Sequence, residues 1–89
     1  MSTTITTESI LHEDGAEGAL AEFGKQVRAG EPAIRRLLGA EPKRVWGFSE
    51  LREAAREGRR KTAMGAALRS LAAQGVLTID YSDYSVRPR

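Results

Sequence analysis

The spacing of apolar side chains changes at Gly75, and this change constrains the chain more than any other feature. Between positions 61 and 74 apolar residues recur every three or four positions, which is typical of one face of a helix. Between Val76 and Arg87 they recur at every second position, which is typical of strands. The sequence therefore predicts a helix from about Lys61 to Gln74 that ends at Gly75 and leads directly into a β-hairpin.

The hairpin has a self-consistent pairing register. If Ser82 and Asp83 form a two-residue turn, Tyr81 faces Tyr84 and Ile79 faces Val86. One face of the hairpin then carries Leu77, Ile79, Tyr81, Tyr84 and Val86. Because Ser-Asp is not a favoured pair for a two-residue turn, a four-residue loop is the alternative.

Upstream, helical spacing begins at about Ala16. Leu20, Phe23 and Val27 lie on one face of a helix that we expect to end at Gly30. Pro32 then begins a second, short helix with Ile34, Leu37 and Leu38 on one face, or the first helix continues there with a kink.

The middle of the chain predicts a short edge strand followed by a helix. Residues 44–48 include one β-branched and two aromatic residues, which favour a strand. We expect the aromatic Trp46 to fill the core. Ser49 is placed to cap a helix that runs to Arg56 and is closed by Gly58. This helix, the turn and the helix from Lys61 form a helix-turn-helix pattern.

Length and composition limit the remaining possibilities. With 89 residues the chain forms one small domain, which we place at 15–89 behind a flexible or partly ordered segment at 1–14 that could include a short edge strand. With no cysteine it has neither disulfides nor thiolate metal sites. With no leader and no membrane-length apolar segment, we expect a cytoplasmic protein that does not enter a membrane.

Charge is distributed unevenly along the chain. Residues 1–31 carry six carboxylates and two cations, a net charge of −4, whereas residues 32–89 carry twelve cations and six carboxylates, a net charge of +6. A basic segment of this kind suggests a polyanionic partner. The cations cluster most strongly at Arg59, Arg60 and Lys61.

The stretch FSELREAAREGRRKTAMGAALRSLAAQGVLTIDYSDYSVRP resembles the winged helix-turn-helix family in its second helix, recognition helix and wing. The phrase LRSLAAQGVLTID, a helix that ends in glycine and enters an apolar strand, carries most of the likeness, which extends over about residues 16–88. It implies a mainly α fold with a small β-hairpin wing, of the α+β class. It also implies that helix 61–74 enters the major groove of double-stranded DNA, with the hairpin beside it.

DNA binding in this arrangement would use cations for the phosphates and polar side chains of helix 61–74 for the bases. The expected phosphate contacts are Arg52, Arg56, Arg59, Arg60 and Lys61. Thr62 and Arg69 are the expected base contacts, on an outward face that also carries Gly65, Ala66 and Ala73. Arg87 returns positive charge at the far end of the hairpin, whereas Asp83 at its tip would repel phosphates.

Each of these features has an alternative. The basic cluster could be a solvated face paired with Glu50, Glu53 and Glu57, and the whole domain could bind a protein partner instead of DNA. A homodimer is a further expectation, because helix-turn-helix domains commonly read two half-sites through a two-fold axis. We expect no catalysis, cofactor or metal, since His12, Glu13 and Asp14 lack a second ligand cluster and no nucleophile or phosphate-loop motif is present.

Overall fold

The computed structural model describes the backbone of residues 2–89 and the side chains from Gly18 onward. In chain order the elements are α1 (Ser2–Ala40), β1 (Trp46–Gly47), α2 (Phe48–Arg56), α3 (Lys61–Ala73), β2 (Leu77–Asp80) and β3 (Ser85–Pro88). Residues 2–89 therefore form three helices and a small antiparallel sheet, which confirms the mainly helical α+β class. No helix within this range is both long and apolar enough to cross a membrane.

Helix α1 runs through Gly30 and Pro32 without interruption, so the predicted helix end at Gly30 is wrong and the continued helix is correct. The reason is an apolar stripe that keeps its phase across this point, at Phe23, Val27, Gly30, Ile34 and Leu38. Burying Ile34 and Leu38 stabilises the fold by about 1.5–3 kcal/mol each, which offsets the roughly 3 kcal/mol that a proline inside a helix costs.

The beginning of α1 also differs from expectation. The helix starts at Ser2, so the short edge strand considered for the first residues does not form. Leu20, predicted on the packed face, is 72% exposed and lies beyond the body of the domain. The side chains before Gly18 lie outside the described part of the chain, and flexibility of residues 1–14 stays a prediction.

Helix α2 begins at Phe48 with Gly47 as its N-cap, so the prediction of Ser49 as the cap is wrong. Strand β1 leads directly into the helix, which leaves no room for a later cap. The Glu50 carboxylate accepts a hydrogen bond from the Gly47 N–H at 3.2 Å. The Phe48 N–H donates to the Tyr84 carbonyl at 2.8 Å, so the hairpin satisfies a backbone group at the start of α2.

Helix α3 ends as the sequence predicts. Gly75 has φ of 79°, the left-handed conformation that glycine adopts at no steric cost. Its N–H donates to the Ala72 carbonyl and the Val76 N–H donates to the Leu71 carbonyl, at 3.1 and 2.9 Å, which is the Schellman arrangement.

In the sheet, β3 lies between β1 and β2. Val86 pairs with Ile79 on one side and with Trp46 on the other, which confirms both the hairpin register and the edge strand. The two-residue turn is wrong and the four-residue alternative is correct, because the loop spans 81–84. Asp80 and Asp83 accept hydrogen bonds from the backbone N–H groups of Ser82 and Ser85, which stabilises this wider loop.

The core is aliphatic and lies between the helices and the sheet. Its largest fully buried side chains are Ile34, Leu51, Met64, Leu68, Leu71, Leu77 and Val86. Trp46 is also buried, as expected, with the Arg44 guanidinium 3.6 Å from its ring centroid. Hydrogen bonding to Glu41 is the largest of the effects that raise the pKa of Arg44 above its ordinary value, and the same contact holds the guanidinium near the ring.

Gly30 is the point at which α1 approaches α3 most tightly. A Cβ atom placed on Gly30 would lie 2.7 Å from Met64 Sδ and 3.2 Å from Met64 Cε. Met64 is fully buried and therefore has little room to move.

We expect Gly30→Ala to lower the free energy of unfolding by about 1–2 kcal/mol, because the overpacking cost exceeds the gain in helix propensity. Gly18→Ala is the matched control: a Cβ there meets no atom within 4 Å, so this variant should be neutral or slightly stabilising. Urea unfolding followed by circular dichroism measures both. A Gly30→Ala variant as stable as Gly18→Ala would show that close approach is not required.

Candidate nucleic-acid interface

The outward face of α3 consists of Thr62, Ala66, Arg69 and Ala73. Ala66 is half-buried and the other three are exposed. Gly65, which the sequence placed on this face, is buried, so that expectation is wrong. The remaining residues present a shallow surface with one long side chain, Arg69.

Arg69 lies back along its own helix. A Cβ atom placed on Gly65 would be 3.5 Å from Arg69 Nη1, an ordinary van der Waals contact. The guanidinium therefore covers Gly65 and accounts for part of its burial. No described carboxylate pairs with Arg69, so its hydrogen-bond donors remain available.

The start of α3 is held by α1. The backbone N–H of the N-cap residue, Arg60, donates to Gln26 Oε1 at 2.9 Å. No side chain caps the first turn of α3, so its backbone N–H groups are free of the usual capping partner. At the other end of α3, Glu31 Oε1 accepts hydrogen bonds from Gln74 Nε2 at 2.7 Å and from Ser70 Oγ at 3.4 Å.

Two of the predicted phosphate contacts build the turn between α2 and α3. Arg59 Nη1 donates to the carbonyls of Ala55 and Arg56, at 3.2 and 3.3 Å, at the C-terminal end of α2. Arg56 Nε donates to the Arg59 carbonyl at 2.5 Å. A cation in this position satisfies carbonyls that the helix leaves without partners. The sequence contains a signal for this role, because Arg59 directly follows Gly58, the glycine that closes α2.

Glutamates neutralise part of the basic cluster. Arg56 and Lys61 both pair with Glu53, at 3.4 and 3.8 Å, and Arg59 pairs with Glu57 at 3.5 Å. Residues 52–61 carry five cations and two carboxylates, so the cluster keeps a net charge of +3. The glutamate pairs expected for a solvated face therefore form at Glu53 and Glu57, whereas Glu50 pairs with Arg44 instead. Among the described residues, no carboxylate pairs with Arg52, Arg60, Arg69 or Arg87.

Arg52 lies on a flank of α2 beside the hairpin. Its guanidinium carbon is 5.9 Å from the ring centroid of Phe48, within range of a cation–π interaction. Its Nε atom is buried and has no hydrogen-bond partner. The side chain is therefore only half-exposed, and its terminal nitrogens are the part left for a phosphate.

The tip of the hairpin carries two exposed tyrosines and no described cation. The rings of Tyr81 and Tyr84 meet edge to face with centroids 6.1 Å apart. The Ser82 hydroxyl and N–H both donate to Asp80, which holds the pKa of that carboxyl below its ordinary value. Arg87 lies opposite Thr78, away from the tip, so the positive charge of the hairpin is at its far end, as expected.

Four cations that the sequence analysis did not use lie on α1: Lys25, Arg28, Arg35 and Arg36. All four are exposed. The first two were counted within the net charge of −4 of residues 1–31 and the other two within the net charge of +6 of residues 32–89, and none of them was placed in a site.

Pockets and metal-ligand clusters were the remaining candidates for a site in the described part of the chain. That part contains no pocket and no group of three or more histidines and carboxylates that could hold a metal ion. His12, Glu13 and Asp14 lie outside the described side chains.

We expect Arg59→Ala to lower the free energy of unfolding by about 1 kcal/mol, because two carbonyls at the end of α2 lose their donor. Arg60→Ala, one residue further along, removes an exposed side chain with no described partner and should be neutral. Chemical denaturation of the two variants measures the difference. Equal stability would assign Arg59 to the solvated surface instead of the turn.

Comparisons of the chain with protein-family models, with curated proteins and with solved structures find no match.

Proposed function

We propose that this protein binds double-stranded DNA as a small winged helix-turn-helix regulator or accessory factor, with α3 in the major groove. The element order supports this proposal: α1, β1, α2, a short turn, α3 and a hairpin. The sheet order also supports it, because β1, the strand before α2, pairs with β3 and so joins the start of the helix pair to the hairpin. The hairpin then corresponds to the wing.

One observation carries the proposal: the outward face of α3 is exposed at three of its four positions, is small in side-chain volume, and has one arginine with no described carboxylate partner. Thr62, Ala66 and Ala73 would let the helix approach the bases closely. Arg69 would then reach guanine O6 and N7, a bidentate contact worth about 1–3 kcal/mol of discrimination.

The expected phosphate contacts differ in how strongly other groups of the protein already hold them. Among the residues whose side chains the structure describes, no carboxylate pairs with Arg60 or with the terminal nitrogens of Arg52. Lys61 is 58% exposed and 3.8 Å from Glu53, and exposed pairs of this kind contribute about 0–1 kcal/mol, so a phosphate would displace the glutamate readily. Arg59 donates to carbonyls and would stay in the turn. The uncapped first turn of α3 adds backbone donors for a phosphate.

The second candidate function is a protein-interaction module. The hairpin tip favours it, because Tyr81 and Tyr84 are 59% and 61% exposed beside two carboxylates. Tyrosine is enriched at protein interfaces, and a carboxylate repels phosphate. This candidate requires a protein complex that survives moderate salt.

Fluorescence anisotropy with a random-sequence duplex across a salt series tests the first candidate. We expect binding at low salt, with Arg60→Ala lowering the slope of log K against log salt by about 0.9 for all sequences. Lys43→Ala, which removes an exposed cation from the loop after α1, is the matched control and should leave the slope unchanged. Absence of binding at low salt would overturn the DNA proposal.

Base reading needs a separate measurement. We expect the wild-type protein to enrich particular duplexes from a random pool, and we expect Arg69→Ala to lose that enrichment while it keeps most of the affinity. Enrichment that survives Arg69→Ala would remove Arg69 from the base contacts and leave only backbone binding.

A further inference from the structure

The cations of α1 form a surface of their own, which we call the outer stripe: Lys25, Arg28, Arg35 and Arg36. All four are exposed, and no described carboxylate lies within 4.0 Å of any of them. By contrast, the cluster at 52–61 has two glutamates that pair with three of its five cations. The outer stripe is therefore the less neutralised of the two basic surfaces.

Helical periodicity separates the outer stripe from the core. The buried residues Gly30, Ile34 and Leu38 are on the side of α1 that packs on α3. At 100° per residue, Lys25 and Arg36 lie about half a turn away from Ile34. The stripe spans eleven residue steps, which is about 17 Å at 1.5 Å per residue.

Two arginines of the stripe, Arg28 and Arg35, have contacts that fix where their guanidinium groups lie. A Cβ atom placed on Gly24 would lie 3.2 Å from Arg28 Nη1, so the Arg28 guanidinium lies back over Gly24. Arg69 lies over Gly65 in the same manner, with the glycine four residues before the arginine. Arg35 Nη2 donates to Gln74 Oε1 at 3.5 Å, next to the end of α3.

We propose that the outer stripe binds the phosphate backbone of nucleic acid as a second surface, separate from the outward face of α3. This inference rests on the proposed DNA binding and extends it. One protein molecule then holds two stretches of duplex, one in contact with α3 and one along α1.

The chemistry of the stripe favours a polyanion of regular spacing. A duplex carries one negative charge per about 1.7 Å of its axis when both strands are counted, so a 17 Å length has about ten charges, about five on each strand. Three of the four cations are arginines, whose planar guanidinium matches phosphate oxygens in a bidentate way. Contacts of this kind do not depend on base sequence, in contrast to those of Arg69.

The test is a triple variant, Lys25→Ala with Arg28→Ala and Arg36→Ala, in the full chain. Arg35 is kept because it contacts Gln74. Alanine is the best helix former, so the variant should fold, and circular dichroism checks this. Arg28→Gln alone serves as the second variant, and Lys43→Ala is the matched loss of an exposed cation.

Two measurements report on the stripe. In a salt series on binding of the second duplex, we expect the triple variant to lower the slope of log K by about 2–3, whereas Lys43→Ala leaves it unchanged. In a capture assay, protein bound to an immobilised duplex retains a second, labelled duplex. We expect the triple variant to bind the first duplex but to retain at least tenfold less of the second. Arg28→Gln should retain an intermediate amount of the second duplex.

The outcomes separate the two proposals. If wild-type protein binds no duplex at all, both fail. If Arg60→Ala and Arg69→Ala impair binding while the triple variant behaves as wild type, only the outer-stripe proposal is overturned.

A second copy of this chain is another occupant of the stripe, because residues 1–24 hold five carboxylates and no lysine or arginine. Sedimentation of the variants tests this self-association. The proposal would be overturned if the triple variant lost self-association but captured duplex as wild type does. It would also be overturned if the stripe bound phosphatidylserine vesicles and no duplex.

Discussion

The packing of α1 on α3 at Gly30 is the contact on which the rest of the structure depends. Because Gly30 has no side chain, Met64 can lie against the α1 backbone, and the two helices come close enough to bury Ile34 and Leu68 together. Hydrogen bonds from α1 secure both ends of α3: Gln26 accepts from the backbone of Arg60, and Glu31 accepts from Gln74. With one side of α3 held in this way, its opposite side is the face left for a partner.

The sequence predicted the second half of the fold more accurately than the first. The hairpin register, the edge strand and the end of α3 at Gly75 depend on local rules: alternation, β-branched residues and glycine in the left-handed conformation. The continuity of α1 depends on burial against a distant segment, and local rules placed a stop at Gly30. The phase of the apolar stripe from Phe23 to Leu38 was the evidence for continuity, and the glycine and proline signals were given more weight.

The same distinction applies to the candidate site. Counting cations predicted a basic surface at 52–61, but a count treats every arginine as available. Arg59 donates to helix carbonyls, and Arg56 shares Glu53 with Lys61, because a turn of four residues between two helices brings these groups together. These roles depend on three-dimensional contacts between residues that are near in sequence, and charge summed over a segment does not register them.

The net charge of a segment is therefore a poor guide when some of its cations bond to the protein's own carbonyls and carboxylates and others are left exposed. Residues 1–31 sum to −4, yet Lys25 and Arg28 share an exposed side of α1 with two arginines from the segment that sums to +6. What a polyanion encounters is the local arrangement of unpaired cations within about a Debye length, roughly 8 Å at physiological ionic strength. From position 25 to 40, α1 carries four cations and one carboxylate, Glu31, which accepts hydrogen bonds from α3, whereas residues 1–24 carry five carboxylates and no lysine or arginine. The boundary that matters electrostatically lies between Glu22 and Lys25, inside a continuous helix, and not at the proline where the sequence was divided.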